Sequence, residues 1–227
     1  MNIIYEDNHI LVVYKKANIP SQADSSKDVD ILSLAKEYIK EKYKKPGNVY
    51  LALVQRLDRP VEGLMVLAKT SKAAARLSKA IANQEVKKRY YAIVWDENLE
   101  AEAKLEDYLY KDEKQISRVV EKSKGKYSEL SYKKLASDKA LSLLDIDLKT
   151  GRHHQIRVQL ASRNSPIYGD QRYGKQDKKQ IALFAYYLFF IHPVTKKEMY
   201  FISDDYENMI FDKFKNEIIS NNKSMAL

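Results

Sequence analysis

The stretch Val49–Thr70, VYLALVQRLDRPVEGLMVLAKT, sets two apolar runs on either side of a short charged segment with Asp58 near its centre. Val49–Val54 and Leu64–Ala68 have the β-branched and aliphatic composition of strands buried on at least one face, and Pro60 and Gly63 punctuate the connection. Asp58 therefore stands where a buried strand gives out. The residues before it run with a period of two, so an extended Arg56 would point to the same side as Asp58 and put a guanidinium and a carboxylate on one face. An Asp between a strand and a Pro is most often a turn residue bonded to nearby backbone N–H groups. These residues alone leave a turn and an active-site carboxylate both open.

The rest of the composition narrows the classes. A chain of 227 residues makes one large domain or two small ones and can bury a core. Its 44% hydrophobic and 31% charged residues match a soluble globular protein, and no apolar run approaches a membrane span. MNIIYEDNHI has neither the basic start nor the apolar core of a signal peptide, so a cytoplasmic location is expected. The absence of cysteine removes disulfides, thiolate catalysis and Cys-based zinc sites. His9, His153, His154 and His192 fit no common metal spacing, and no metal is expected. Forty Lys and Arg against 31 Asp and Glu give a formal charge of +9, which points to a polyanionic partner.

Along the chain, Ile3–Lys16 reads as strand, turn and strand, followed by the ANIPSQ loop. Leu34, Tyr38 and Ala35, Ile39 recur at helical spacing until Pro46-Gly47. Ser71 is the expected N-cap of a helix through Glu85, with Ala73, Leu77, Ala80 and Ile81 along one side. Val86–Trp95 has strand composition, and the charge-dense Leu105–Glu129 reads as an exposed strand and loop. Tyr127–Ala136 and Ala140–Lys149 alternate as an antiparallel hairpin. In Gly151–Leu160, GRHHQIRVQL, Ile156 and Leu160 are one helical turn apart, so a helix starting here would set His153 and His154 on roughly the side of Arg157. Ile181–Ile191 is a buried strand closed by HPVTKKEMYFIS into a hairpin. A last helix uses Tyr206, Ile210, Phe214 and Ile218, with fraying expected from about residue 220 to 227. The economical reading is a single α+β domain over residues 1–227, built on a mostly antiparallel mixed sheet flanked by helices.

The pair QRLDRPVEG and GRHHQIR, in this order, resembles the RluA-type RNA pseudouridine synthases, which carry an H-R-L-D-x-x-x-S-G-type motif and a downstream G-R-x-H-Q-I-R motif. YEDNHILVVYKKANIP, the K-x-Y of Lys88 and Tyr90, and SPIYGDQRYG resemble further segments of that family. The resemblance implies that Asp58 is the catalytic carboxylate, that Arg157 partners it, and that Tyr90 packs against the target base. It also implies that Arg56 occupies the space left by the extruded nucleotide, with Lys88, Arg152, His154 and Gln155 as substrate-binding residues. His154 is open between a phosphate or sugar contact and a structural role. No S4-type RNA-binding domain is expected in a chain of this length, and no cofactor is expected because the isomerisation involves no redox change. The implied partner is ribosomal or transfer RNA, with a monomer favoured.

Departures from the family pattern are Gln55 for His, Glu62 for Ser, and Lys16 and Asn18 for Pro and Gly. Asn tolerates the left-handed backbone that Gly supplies. Glu62 would disfavour ionisation of Asp58 if the two approached, and is expected to point away. Two rival readings stand beside the synthase. One is a catalytically silent RNA-binding paralogue. The other is a glycosidase using Asp58 and Glu62, which their closeness in sequence disfavours.

Overall fold

Period-two hydrophobicity dominates this chain, and strands dominate its structure. The computed structural model describes residues 1–24 and 26–225. In chain order the elements are β1 (Asn2–Glu6), β2 (Ile10–Lys15), α1 (Ile31–Lys42), β3 (Ala52–Leu53), β4 (Glu62–Ala68), α2 (Ser71–Ala82), β5 (Lys87–Trp95), β6 (Glu102–Lys111), β7 (Ser117–Val120), β8 (Lys126–Asp138), β9 (Leu141–Leu148), α3 (Gln155–Ala161), β10 (Leu183–Ile191), β11 (Glu198–Ile202) and α4 (Lys215–Met225). Short 3₁₀ turns cover Lys122–Lys124 and Met209–Phe214. The chain divides into two compact units, Met1–Val86 with Tyr187–Ser203, and Lys87–Tyr186 with the segment from Asp204 onward.

In the first unit β2 lies antiparallel to both β1 and β4, with Ile10 opposite Ala68 and Lys15 opposite Gly63. The β1–β2 turn is held by the Asp7 carboxylate, which accepts from the backbone N–H groups of His9 and Ile10 at 2.7 and 2.8 Å. Every residue of β2 and β4 is buried, which explains why both read as continuous apolar runs rather than as alternating ones. Ile10, Val12, Leu64, Val66 and Ala68 pack with Ala73 and Leu77 of α2 and with Leu188 and Phe190 of β10. The N-cap of α2 is Thr70, whose hydroxyl accepts from Ala73 N–H at 3.1 Å, one residue earlier than the sequence suggests. Asn18 adopts φ 65°, the left-handed conformation expected of it.

The strand expected over Val49–Val54 shrinks to Ala52–Leu53. One edge of β4 is filled by β2, and β3 shares the other with β10, so little ladder is left for β3. The chain bends at Val54 and Gln55, and the alternation from which Arg56 was placed beside Asp58 is broken before it reaches Arg56.

The second unit is an antiparallel sheet in the order β5, β9, β8, β6, β7. The expected hairpin is β8 and β9. The region read as exposed strand and loop is instead the paired strands β6 and β7, with Leu105 and Leu109 buried. Charges on the solvent face of β6, such as Glu102, Lys104 and Glu106, mask the buried face in sequence. The chain does not fray at residue 220: α4 is helical to Met225, and only the last two residues of the expected fray lie outside the described ones. Asn221 and Asn222 bond the Tyr91 hydroxyl at 2.9 and 2.7 Å, which ties the helix to β5. Among the described residues no helix is long and apolar enough to cross a membrane.

Candidate active site

In the first unit, the Asp58 backbone is fixed on both sides by buried side chains. Before it, the Ser21 hydroxyl donates to the Leu57 carbonyl at 2.7 Å and accepts from the Leu57 N–H at 3.1 Å. After it, the Lys15 ammonium donates to the Arg59 carbonyl at 3.0 Å. Val61 N–H closes the turn onto the Asp58 carbonyl at 3.0 Å. Asp58 itself is half-buried, between the buried Leu57 and the exposed Arg59. Arg59 is occupied by Asp28 and the Ser26 hydroxyl, and Arg56 is exposed. Glu62, the first residue of β4, is only 1% exposed and accepts from the Tyr14 hydroxyl at 2.8 Å. Its carboxylate is directed into the protein.

In the second unit, α3 starts at Gln155, so His153 and His154 precede the helix rather than riding on it. His154 caps it in the left-handed conformation, φ 54°. Arg157 is buried, and its guanidinium grips Asp170 through two parallel bonds, Nε to Oδ2 and Nη2 to Oδ1, both 2.8 Å. The Tyr173 ring lies 5.3 Å from the guanidinium carbon, and the Tyr173 hydroxyl is 2.9 Å from His154 Nδ1. His154 and Arg157 are thus brought together through Tyr173. Burial pushes the Asp170 carboxyl up, but the bonds and charge of Arg157 and the N–H groups of Arg172 and Tyr173 outweigh it and hold the group below its usual range. The turn into this segment requires glycine at 169, where φ is 72° and a Cβ would lie 2.2 Å from the Gln180 carbonyl oxygen.

Gln155 is 2% exposed. Its amide oxygen accepts from the Thr150 hydroxyl and Arg152 N–H, and its nitrogen donates to the Glu129 carbonyl at 3.1 Å. Its hydrogen bonds hold the loop that carries Arg152, which is exposed. A Cβ added at Gly151 would stand 3.5 Å from the Lys88 nitrogen, so Lys88 lies against the same loop. Burial pulls the Lys88 ammonium below its ordinary value, with Asp147 partly offsetting it.

Strand alternation places Tyr90 on the face of Lys88, and Arg89 and Tyr91 on the other. Tyr91 is stacked on Tyr186 with ring centroids 3.8 Å apart, and Arg89 pairs with Asp145, so both are committed to packing. Of these two adjacent tyrosines, Tyr90 is the one on the loop's side. Among the described residues no group of three or more His, Cys, Asp or Glu is placed to hold a metal ion.

Lys15, Ser21, Asp170 and Tyr173 had no role in the sequence reading. A signal existed for three of them: Lys15 is a charge inside an apolar strand, and Asp170 and Tyr173 sit in the GDQRY segment. Nothing in the sequence marks Ser21.

Residues 9–162 match the family model for RNA pseudouridylate synthase. The chain belongs to that family, whose members are RNA-modifying isomerases. Relatives include the ribosomal large subunit pseudouridine synthase C of Buchnera aphidicola subsp. Schizaphis graminum, 32% identical over 89% of this chain and 66% of the relative. The ribosomal large subunit pseudouridine synthase D of Zymomonas mobilis is 30% identical over 97% of this chain and 74% of its own length. The chain thus spans about two thirds to three quarters of these family members. The family fold is seen in the human RNA pseudouridylate synthase domain containing 4, with a TM-score of 0.76, 19% identity and coverage of 98% of this chain and 93% of that one.

Proposed function

We propose that this chain isomerises a specific uridine in structured RNA, detaching uracil at N1 and rejoining it to C1′ through C5, with Asp58 as the reacting carboxylate. The observation that carries the reading is the Asp58 turn: a half-exposed carboxylate whose neighbours on both sides are pinned by the buried Ser21 and Lys15. Such a group keeps its position while a substrate is turned over above it. Cleavage requires a carboxylate that is ionised when the target arrives, either to add to the nucleoside or to remove a sugar proton. Arg157 supplies the cation that favours the charged form of Asp58.

The uridine must leave its stack, at a cost of a few kcal/mol that is smaller in loops than in duplexes. Tyr90 supplies the apolar face for the base, Arg56 fills the vacated space, and Lys88, Arg152 and His154 meet the backbone. The formal charge of +9 suits that partner. The names of the Buchnera and Zymomonas relatives favour large-subunit ribosomal RNA as the substrate. Transfer RNA is the alternative, and the proposal places the work in the cytoplasm. Glu62 is 1% exposed with its carboxylate taken by the Tyr14 hydroxyl, which argues against the carboxylate-pair glycosidase. The test is a comparison of pseudouridine maps of total RNA from cells with and without the gene. One site should vanish on deletion and return with the wild-type chain. Identical maps would refute the proposal.

A further inference from the structure

We propose that Ser117 is a positioning residue for the GRHHQIR loop: with Tyr173 it holds the stacked His153 and His154 in opposite tautomers, so that His154 meets the RNA backbone with an Nε2–H donor. The inference rests on the reading of His154 as a contact to that backbone. Ser117 opens β7, the last strand in the sheet of the second unit, and is 2% exposed. Its hydroxyl lies 2.6 Å from the His153 carbonyl oxygen and 3.0 Å from His153 Nδ1, and its backbone N–H donates to the Tyr173 hydroxyl at 2.9 Å. One residue of β7 thus reaches both the loop and the segment that follows α3. Arg172 ties the same segment to the β6–β7 turn, donating to the Gln115 carbonyl at 2.8 Å.

Counting donors and acceptors places the protons. A serine hydroxyl has one hydrogen and a carbonyl oxygen can only accept, so the Ser117 hydrogen goes to the His153 carbonyl. The contact between Ser117 Oγ and His153 Nδ1 then requires the nitrogen to donate, and His153 carries Nδ1–H. The Tyr173 hydroxyl accepts from the Ser117 N–H, and its own hydrogen finds an acceptor in His154 Nδ1 at 2.9 Å. His154 Nδ1 is therefore unprotonated, and the proton of that ring sits on Nε2. The two rings are stacked with centroids 3.7 Å apart and planes 28° from parallel, so fixing His153 also steadies His154. Phosphate and sugar oxygens accept hydrogen bonds, and the Nε2–H form of His154 answers them where the other tautomer would turn an acceptor toward an acceptor. A ring free to exchange tautomers would match the RNA only in the fraction of molecules holding the right one.

The experiment records long-range proton–nitrogen correlation spectra of the full chain labelled with nitrogen-15 histidine at about pH 8, above the ordinary imidazole value, with RNA affinity measured by filter binding. Only four histidines need assignment. In the wild type His153 should show the Nδ1–H pattern and His154 the Nε2–H pattern. Ser117→Ala should release His153 from its tautomer and lower RNA affinity about threefold, and Ser117→Thr, which keeps the hydroxyl, should restore both readouts. Tyr173→Phe keeps the ring and should leave His154 as a mixture of tautomers, with affinity lowered about fivefold. In a His154→Gln background an amide N–H replaces Nε2–H with no tautomer to set, and Tyr173→Phe should cost no further affinity. Glutamine suits the backbone there, since Gln84 and Gln115 already adopt φ of 60° and 59°. If Ser117→Ala does not fold, the wild-type spectra and Tyr173→Phe decide. Any other tautomers in the wild type, or tautomers unmoved by both Ser117→Ala and Tyr173→Phe, overturn the inference. The expected tautomers combined with full RNA affinity in His154→Ala would sink the reading of His154 as an RNA contact, and this proposal with it. Neither result touches Asp58, which Asp58→Asn tests separately.

Discussion

The Asp58 turn and the Arg157 helix hold their functional groups by opposite means. At Asp58 the backbone is held: Ser21 grips the residue before it and Lys15 the residue after, while the carboxylate is presented half-exposed. At Arg157 the side chain is held, its planar fork fixed by Asp170 and covered by Tyr173. The difference follows from the two groups. A carboxylate on a short side chain is aimed once its Cα is fixed, whereas a guanidinium on a long flexible stem is aimed only by partners at its tip. Damage to the first arrangement should therefore be local and mild unless the carboxylate itself is lost, and damage to the second should reach the cation directly.

The largest effect should come from Asp58→Asn, which keeps shape and removes the reactive anion. Its rate should fall by about a thousandfold or more with stability and RNA affinity nearly wild type, read by single-turnover assay and filter binding. Next, Arg157→Ala should cost about a hundredfold and Arg157→Lys somewhat less, because lysine keeps the charge and loses the fork. Equal effects of the two substitutions would show that the fork, and not the charge, matters there.

Asp170→Asn leaves a buried guanidinium without its counter-charge, a loss of about 3–5 kcal/mol at neutral pH that urea unfolding would register. The folded Asp170 carboxyl lies below its ordinary value, so its contribution is complete above the unfolded carboxyl value of about 3.9 and is lost as pH falls through the folded one. The stability gap between wild type and Asp170→Asn should accordingly narrow in acid, and a constant gap would mean that the pair is not the source. The smallest effect belongs to Ser21→Ala, which removes one of the two backbone grips and should slow turnover only a few-fold. A loss as large as that of Arg157→Ala would erase the contrast drawn above.

Much of this was legible in the sequence because it was periodic. β1, β2, β4, β5, β8, β9 and β10 were recognisable from apolar runs or alternation, as was the left-handed Asn18 from its chemistry. β6 and β7 were not, since charged residues on one face hide the buried residues on the other. The brevity of β3 depends on a strand more than a hundred residues later in the chain taking its ladder, and no local pattern reports that. The same limit explains the candidate site. Asp58, Arg157 and Tyr90 stood out through motifs, whereas the grips on them are long-range pairs such as Ser21 with Leu57, and the loop-holding role of Gln155 is visible only through its hydrogen bonds.

The first unit is discontinuous, and this has a consequence for synthesis. Its apolar layer on β2, β4 and α2 is completed by Leu188 and Phe190, which leave the ribosome after all of β5 to β9. Until β10 is made, the unit carrying Asp58 waits with an open hydrophobic face. The interval before β10 leaves the ribosome is therefore when the nascent chain most needs protection from aggregation.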